Sequence, residues 1–236
     1  MSQVYPLLLA AASFAGLVWL DRRLPAESPR RIEAGLVILA GGLVGARSGF
    51  IALRLPYFSA HPSEMAWFWQ GGLSWIGAVV GVLGATALSA RLTEGRFWAW
   101  VDTLAVPAAL VSLATWTGCQ VEACAFGHTV AGAPMGYDSL GSLAPRWPTQ
   151  AVGMVLSGGI LAGLLPLAGR NLPAGLLGMG ALTAIAAVNT TLSLTRGDPS
   201  LLIGSWRVDT VAGLIVFLTA AGLALWRARP PQPEAN

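Results

Sequence analysis

Seven apolar stretches, each long enough to cross a lipid bilayer, constrain this chain more than any other feature of its sequence. A transmembrane helix needs roughly 20 mostly apolar residues to span a hydrocarbon core of about 30 Å. In chain order the stretches are Val4–Leu20, Ala34–Leu55, Gly72–Ala90, Phe97–Thr117, Thr149–Ala168, Ala174–Leu194 and Val208–Trp226. Only 11% of the residues are charged, whereas soluble domains carry about a quarter. The sequence therefore predicts an all-α, polytopic membrane protein with about seven transmembrane helices.

We expect one transmembrane helical domain over residues 1–229 and a disordered, proline-rich tail over residues 230–236. The first apolar stretch starts almost at Met1 with no basic residues before it, so no cleavable signal peptide is expected. Glycines recur at small-residue spacing within the second, third and sixth stretches: Gly41, Gly42, Gly45 and Gly49; Gly77, Gly81 and Gly84; Gly175, Gly178 and Gly180. This spacing predicts helices that approach one another closely.

The basic residues are all arginines, and they are divided unevenly between the two sides of the predicted bundle. One set of alternate connections holds nine of them: Arg22, Arg23, Arg30, Arg31, Arg91, Arg96, Arg170, Arg227 and Arg229. The opposite connections hold four: Arg54, Arg146, Arg196 and Arg207. Because cytoplasmic loops are enriched in Lys and Arg, the bias predicts that the N-terminus is outside and the C-terminus is cytoplasmic.

The segment Thr115–His128 collects an unusual set of polar residues, and the arginine bias predicts that the outward segment runs from Cys119 to Trp147. It contains Cys119, Glu122, Cys124 and one of the two histidines, His128. The C-x4-C spacing puts the cysteines on different faces of a helix, so their approach requires a turn between them. A disulfide and free thiols are both compatible with the sequence, whereas a zinc site lacks a convincing fourth ligand. We interpret Glu122 as a candidate base or ligand, with a solvated loop glutamate as the alternative.

Arg47 is the most unusual charge, because it lies within the second apolar stretch and is flanked by glycines. A lone arginine inside a bilayer is costly, so it must face a wet cavity or a partner. We expect its planar guanidinium either to bind a phosphate group or to pair with Asp102. Asp102 precedes Pro107 by just over one helical turn, and we interpret it either as a catalytic acid or as a carboxylate that stabilises the bundle.

Short motifs follow one another in a definite order along nearly the whole chain. They are Tyr5–Leu7, Trp19–Arg23, Gly45–Phe50, Gln70–Gly81, Asp102–Pro107, Pro148–Gln150 and Arg196–Asp198. This order resembles that of the prolipoprotein diacylglyceryl transferase family; the segment Gly45–Phe50, for example, is similar to the family pattern G-G-R-x-G-Y. The resemblance implies a seven-helix protein of the bacterial inner membrane with its N-terminus outside. It also implies transfer of a diacylglyceryl group from phosphatidylglycerol to the lipobox cysteine of a lipoprotein precursor, with release of glycerol phosphate.

The resemblance and the outward segment together define the candidate site residues. Positions that match the family, and that are expected to bind substrate, are Tyr5, Arg47, Ser74, Gly77, Gln150 and Arg196. From the outward segment we add His128 and also Arg146, which would share the donor phosphate with Arg47. The catalytic candidates are Glu122 and Asp102 as bases and Cys119 and Cys124 as thiols.

Several positions depart from the family pattern, and the departures fall on the polar and charged residues that the resemblance implies for its chemistry. The resemblance implies histidine at Ile76, arginine at Trp116, asparagine at Cys119, asparagine at Glu122, glutamate at Cys124, arginine at Asn189 and glutamate at Ser193. The chain therefore matches the family in the motifs along its helices but lacks many of the charged residues that the resemblance implies.

Three functional hypotheses follow. The first is a diacylglyceryl transferase acting on phosphatidylglycerol, or a related phospholipid, and on a lipoprotein precursor. The second is an inactive relative that binds lipid or lipoprotein, and the third is a membrane protein in which Cys119 and Cys124 cycle between dithiol and disulfide. We expect no metal, no other cofactor and no nucleic-acid partner.

Overall fold

The computed structural model describes residues 4–23, 31–68, 71–92 and 96–229. Its α-helices are α1 (Val4–Arg23), α2 (Arg31–Leu53), α3 (Leu55–Ala60), α4 (Trp75–Leu92), α5 (Phe97–Thr103), α6 (Ala105–Glu122), α7 (Thr149–Leu167), α8 (Leu176–Ser193) and α9 (Val208–Arg227). Within these ranges seven spans are long and apolar enough to cross a membrane, with α5 and α6 forming one of them. The prediction of seven transmembrane helices is confirmed. The predicted disordered tail, residues 230–236, lies outside the described residues.

Two short β-hairpins and the helix α3 lie in the connections at one end of the bundle, and the sequence patterns did not predict them. Strand β1 (Met135–Tyr137) pairs antiparallel with β2 (Leu143–Pro145), and β3 (Leu202–Ile203) pairs antiparallel with β4 (Trp206–Arg207). Gly204 has a φ of +62° at the first position of the two-residue turn between β3 and β4, as a type II′ turn requires. We call this end of the bundle, comprising the described residues of 54–74, 123–148 and 194–207, the head end.

Glycines bring α2 and α4 into backbone contact. A Cβ atom added at Gly81 would lie 2.1 Å from the carbonyl oxygen of Gly41, and one added at Gly77 would lie 2.3 Å from that of Gly45. No side chain fits at either distance, so the two helices can pack this closely only because both surfaces lack Cβ atoms. The close approach predicted from the glycine spacing is confirmed.

The α5–α6 span and α8 form the centre of the bundle. In α8, 44% of the residues are buried, and in the apolar stretch of the α5–α6 span 39% are buried. The corresponding fraction in the other five spans is at most 22%. Around them α1 packs on α6, α6 packs on α7, and α8 packs on both α7 and α9. Small residues such as Ala109 and Ala186, both fully buried, allow these contacts.

Asp102 joins two helices at the end of the bundle opposite the head end. The helix breaks at Leu104, between α5 and α6, about one turn before Pro107, which has no N–H to continue the ladder. The Asp102 carboxylate accepts hydrogen bonds from the backbone N–H groups of Gly175 (2.6 Å) and Gly178 (2.8 Å) at the start of α8. It therefore caps the positive end of that helix from a neighbouring one.

Candidate functional site

Arg47 binds backbone carbonyl groups of the connection between α3 and α4. Its Nε donates to the carbonyl of Met65 (2.9 Å), and Nη2 donates to that of Glu64 (2.5 Å). Its Nη1 donates to the carbonyls of Gly71 (2.8 Å) and Gly72 (3.3 Å). With only 9% of the residue exposed, these four acceptors take up most of the donors of the guanidinium. Arg47 thus holds the head-end loop against α2.

The suggested pairing of Arg47 with Asp102 is wrong. Both carboxylate oxygens of Asp102 accept hydrogen bonds from backbone N–H groups at the start of α8. Twenty residues of helix separate Asp102 from Glu122 at the end of α6, which corresponds to about 30 Å at the rise of an α-helix. Asp102 is therefore remote from every other candidate at the head end.

Ser74 and Gly77 fix the start of α4 beside Arg47. The backbone N–H of Ser74 donates to the carbonyl of Ala46 (2.9 Å). Its hydroxyl oxygen accepts a hydrogen bond from the N–H of Gly77 (3.3 Å), as an N-cap does. Because Gly77 also touches the backbone of α2, both residues hold the loop that supplies the carbonyl acceptors of Arg47.

A cavity of about 580 Å³ opens beside Arg47 at the head end. Arg54, Tyr57 and Glu64 line its polar side, and Phe50 and Leu201 are among its apolar walls. The Tyr57 hydroxyl donates a hydrogen bond to the Glu64 carboxylate (2.8 Å), and this bond raises the pKa of Tyr57. The phenol therefore stays protonated and holds Glu64 at the rim. We call this space the Arg54 cavity.

Arg146 pairs with an aspartate that the sequence did not single out. Its Nη2 lies 2.9 Å from Oδ2 of Asp138, and its guanidinium stacks over the Phe126 ring at 4.8 Å. The backbone N–H of Ser142 bonds to Asp138 and lowers the pKa of that carboxyl, as do the N–H of Leu140 and the charge of Arg146. Arg146 therefore closes the β1–β2 hairpin onto the rest of the head end.

Arg196 belongs to a cluster of two arginines and two aspartates beside the β3–β4 hairpin. Asp198 accepts from Arg196 with both oxygens, Nε to Oδ1 at 2.7 Å and Nη2 to Oδ2 at 2.5 Å. Arg207 donates to the Asp198 carbonyl at 2.7 Å, and Asp209 lies within 4 Å of both guanidinium groups. Burial acts to lower the pKa of Arg196, but the bonds and charges of the two aspartates outweigh burial and raise it. The cluster is electrically neutral.

His128 and Gln150 are fixed by backbone carbonyl groups. The His128 Nδ1 lies 2.9 Å from the carbonyl oxygen of Thr195, which requires the tautomer protonated at Nδ1. The Gln150 amide donates to the carbonyl of Cys124 at 3.0 Å. Both residues therefore tie the segment after α6 to its neighbours, His128 to the end of α8 and Gln150 to the start of α7.

Cys119 and Cys124 form a disulfide, so neither offers a free thiol in this structure. The required turn is supplied by Ala123, which has a φ of 52° and ends α6. The turn leaves Glu122 at the end of the helix, where its Oε1 accepts a hydrogen bond from the backbone N–H of Tyr5 at 3.2 Å. A thiol role for the cysteines would require prior reduction of this bond.

Tyr5 and Glu122 meet at the start of α1. The Tyr5 ring covers Gly118 so closely that a Cβ atom there would lie 2.2 Å from the ring. The Glu122 carboxylate is half-buried and lies beside one of the free N–H groups of the first turn of α1.

Trp116, at the position where the resemblance implies an arginine, is part of the core. Only 4% of it is exposed, and it packs with Val188 and Leu192 of α8. Gly153 of α7 gives it room, because a Cβ atom at that glycine would lie 2.3 Å from the indole. The side chain therefore fills the space between α6, α7 and α8 with apolar atoms.

The two α8 positions where the resemblance implies charges are neutral and bonded locally. The Asn189 amide donates to the carbonyl of Ile185 at 3.0 Å, within its own helix. The Ser193 hydroxyl lies 2.6 Å from the Thr210 hydroxyl of α9. Both groups leave the helix interface uncharged.

The structure divides the predicted site residues into separate groups. The groups are Arg47, Ser74 and Gly77 below the Arg54 cavity; Tyr5, Glu122, Cys119 and Cys124 where α1 begins and α6 ends; His128, Arg146, Gln150 and Arg196 in the head-end loops; and Asp102 alone at the opposite end. Sequence reasoning did not select Arg54, Tyr57, Glu64 or Asp138. Only Asp138 had a usable signal, because an aspartate three residues before a glycine is typical of a turn.

The fold and these groups define a multi-pass membrane protein in which every candidate site residue except Asp102 lies at or near one end of the helical bundle. The family model described as prolipoprotein diacylglyceryl transferase matches residues 2–226. The chain belongs to this family.

Similar proteins share most of their length with this chain. The phosphatidylglycerol--prolipoprotein diacylglyceryl transferase of Methylibium petroleiphilum is 32% identical over 193 residues, which cover 79% of this chain and 73% of the relative. The protein of the same name from Symbiobacterium thermophilum is 25% identical over 97% of this chain and 90% of its own length. The one from Paracidovorax citrulli is 30% identical over 82% of this chain and 74% of its own length.

Proposed function

We propose that the protein transfers a diacylglyceryl group from phosphatidylglycerol to the cysteine of a lipoprotein precursor. The observation that carries this proposal is the family match over residues 2–226, together with relatives that bear the name of this activity over most of their length. The head end supports it, because it holds a cavity lined by Arg47, Arg54 and Glu64 together with apolar side chains. The arginine bias supports a head end on the outer side of a bacterial inner membrane.

The reaction needs a base and a means of stabilising phosphate. The acceptor sulfur forms a C–S bond to the terminal carbon of the diacylglyceryl group, and the C–O bond between that carbon and the phosphate breaks. Glycerol phosphate leaves with the electron pair of that bond, and the thiol proton passes to the base. A cationic group that stabilises the leaving phosphate lowers the barrier.

Glu122 is the base that the geometry supports best. It is the half-buried carboxylate that lies at the end of α6 beside the disulfide. Its Oε1 accepts a hydrogen bond of 3.2 Å from the Tyr5 N–H. The carboxylates of Asp138 and Asp198 form ion pairs with arginines. Asp102 caps α8 at the opposite end, and we assign it a structural role.

The test uses the full chain in detergent with phosphatidylglycerol and a lipobox-cysteine peptide, followed by mass spectrometry for the diacylglyceryl adduct. Glu122→Gln keeps an oxygen that accepts the Tyr5 N–H but cannot take a proton, so it should lower the rate about 100-fold or more. Glu122→Ala removes both functions and serves as the matched comparison. An unchanged rate in Glu122→Gln would exclude Glu122 as the base.

A second candidate function, lipid binding without transfer, is supported by Trp116. An apolar, closely packed indole stands where the resemblance implies a phosphate-binding arginine. Arg47 does not replace that arginine directly, because backbone carbonyls occupy most of its donors. In the same assay, wild-type protein that retains bound phosphatidylglycerol and yields no adduct would establish this second function and overturn the first.

A further inference from the structure

Arg54 differs from the other arginines of the head end and of the α2 span. Among the described residues its guanidinium meets no carboxylate and no carbonyl acceptor. The others bind carbonyls or aspartates: Arg47, Arg146, Arg196 and Arg207. The guanidinium carbon of Arg54 lies 4.8 Å from the centre of the Phe50 ring. This stacking supports the face of the guanidinium and leaves its N–H edges available to an anion.

The position of Arg54 along α2 places it at the level of lipid headgroups. The membrane-spanning part of α2, Ile32–Leu53, has 22 residues, so it is about 33 Å long. This length matches a hydrocarbon core of about 30 Å. Arg54 directly follows the span, so its side chain lies where phospholipid phosphates lie. Arg47 lies six residues below Leu53, about 9 Å deeper.

The Arg54 cavity has the size and the lining that a lipid headgroup requires. Its volume of about 580 Å³ lies within the range of small-molecule sites. Apolar walls from Phe50, Leu53 and Leu201 stand beside the polar rim. Arg47 and Arg54 carry two positive charges and Glu64 one negative charge, so the lining has a net charge of +1. Leu201 comes from the β3–β4 side of the head end, so the cavity is enclosed from two directions.

We propose that the Arg54 cavity binds the phosphate of an anionic glycerophospholipid, with Arg54 donating to the phosphate and the apolar walls contacting the acyl chains near the glycerol. An exposed guanidinium with free N–H edges matches phosphate geometry. The apolar walls favour a lipid over a soluble phosphate. The identification of the lipid as phosphatidylglycerol rests on the proposed function, whereas the site itself rests on the geometry.

The experiment measures binding of dioleoyl phosphatidylglycerol to the full chain in detergent by native mass spectrometry. We expect Arg54→Ala to weaken binding about 10-fold, since a hydrogen bond to a charged group contributes on that order. Dioleoylglycerol, which has the same acyl chains and no phosphate, should bind both proteins equally. Glu64→Gln should strengthen phosphatidylglycerol binding, because it removes the negative charge from the lining and keeps its size. Arg22→Ala, which removes an exposed arginine at the opposite end, is the charge-matched control and should change nothing.

Three results would overturn the proposal. The first is phosphatidylglycerol binding that is equal in wild type and Arg54→Ala. The second is an equal loss in Arg22→Ala, which would indicate a general effect of charge. The third is glycerol phosphate binding as strongly as the lipid and with the same dependence on Arg54, which would assign the cavity to a soluble phosphate.

The outcome is separable from that of the proposed function. If wild-type protein forms the adduct and Arg54→Ala binds lipid normally, the transferase proposal stands and the Arg54 site fails. If Arg54→Ala loses lipid binding and wild-type protein forms no adduct, the site stands and the transferase proposal fails.

Discussion

Replacing Arg47 with methionine should destabilise the protein rather than only weaken its contact with substrate. The change keeps an unbranched apolar side chain and removes the donors that reach Glu64, Met65, Gly71 and Gly72. Each buried carbonyl left without a donor costs about 1–3 kcal/mol. The loop lies at the membrane surface and can recover part of this by turning towards water, so we expect a total loss of about 3 kcal/mol.

The assay is thermal unfolding of the purified protein in detergent, with limited proteolysis of the loop before α4 as a local readout. For a chain of this size, about 3 kcal/mol corresponds to a fall in Tm of about 6–12 °C. Arg47→Lys should fall between wild type and Arg47→Met, because an ammonium group has three donors and cannot reproduce the planar fork. Arg54→Met removes the same charge from an arginine that bonds to no carbonyl among the described residues, so its Tm should match that of wild type.

Two outcomes would refute the reasoning about Arg47. A Tm within about 2 °C of wild type for Arg47→Met, with an equally protected loop, would mean that the carbonyl bonds contribute little net stability. A normal Tm combined with lost phosphatidylglycerol binding would instead restore Arg47 as a direct phosphate ligand, as the sequence suggested.

Three further perturbations test other contacts. Gly81→Ala should destabilise the protein by about 1–3 kcal/mol in thermal unfolding, because its methyl group would meet the backbone of α2. Gly84→Ala on the same helix is the control and should leave stability unchanged, because its methyl group would meet no atom within 4 Å. Equal effects of the two substitutions would refute this packing. Asp102→Ala should lower stability by about 1 kcal/mol in the same assay and leave lipid binding at the head end unchanged, and a selective loss of transfer would contradict the capping role. Because the pKa of Asp138 is lowered below its ordinary 3.8, its contribution is present at neutral pH and is lost as the pH falls through that lowered value. Proteolysis of the β1–β2 hairpin should therefore increase in acid, and Asp138→Asn should be cleaved readily without this pH dependence.

Features that depend on the bilayer were predictable from the sequence. A span must be apolar for about 20 residues whatever it packs against, so all seven spans were found, with ends displaced by a few residues. Close approach of glycine-bearing helices was also predictable, because repeated glycines such as Gly45 and Gly81 allow it, but the pairing of α2 with α4 was not.

The contacts of individual polar residues were not predictable, because their partners carry no sequence signal. Arg47 was recognisable as a buried donor, but its acceptors are carbonyl groups, which every residue has. The partners of Asp102 are N–H groups more than 70 residues away. The disulfide depends on a positive φ at Ala123, and alanine gives no indication of that conformation.

The pattern of charges in this chain follows from the energetics of burial. Trp116 packs against Val188 and Leu192 of α8, whereas Ser193 bonds to Thr210 of α9 and Asn189 bonds within α8, so three positions where the resemblance implies charges hold neutral groups on α6 and α8. Removing one partner of a buried ionic group leaves the other uncompensated, at a cost of several kcal/mol. The neutral side chains at these three positions avoid that cost. Two partly buried arginines of the head end, in contrast, are each compensated by a carboxylate: Arg146 by Asp138 and Arg196 by Asp198. By this reasoning, any transfer reaction in this protein must use the head end rather than the interface around Trp116.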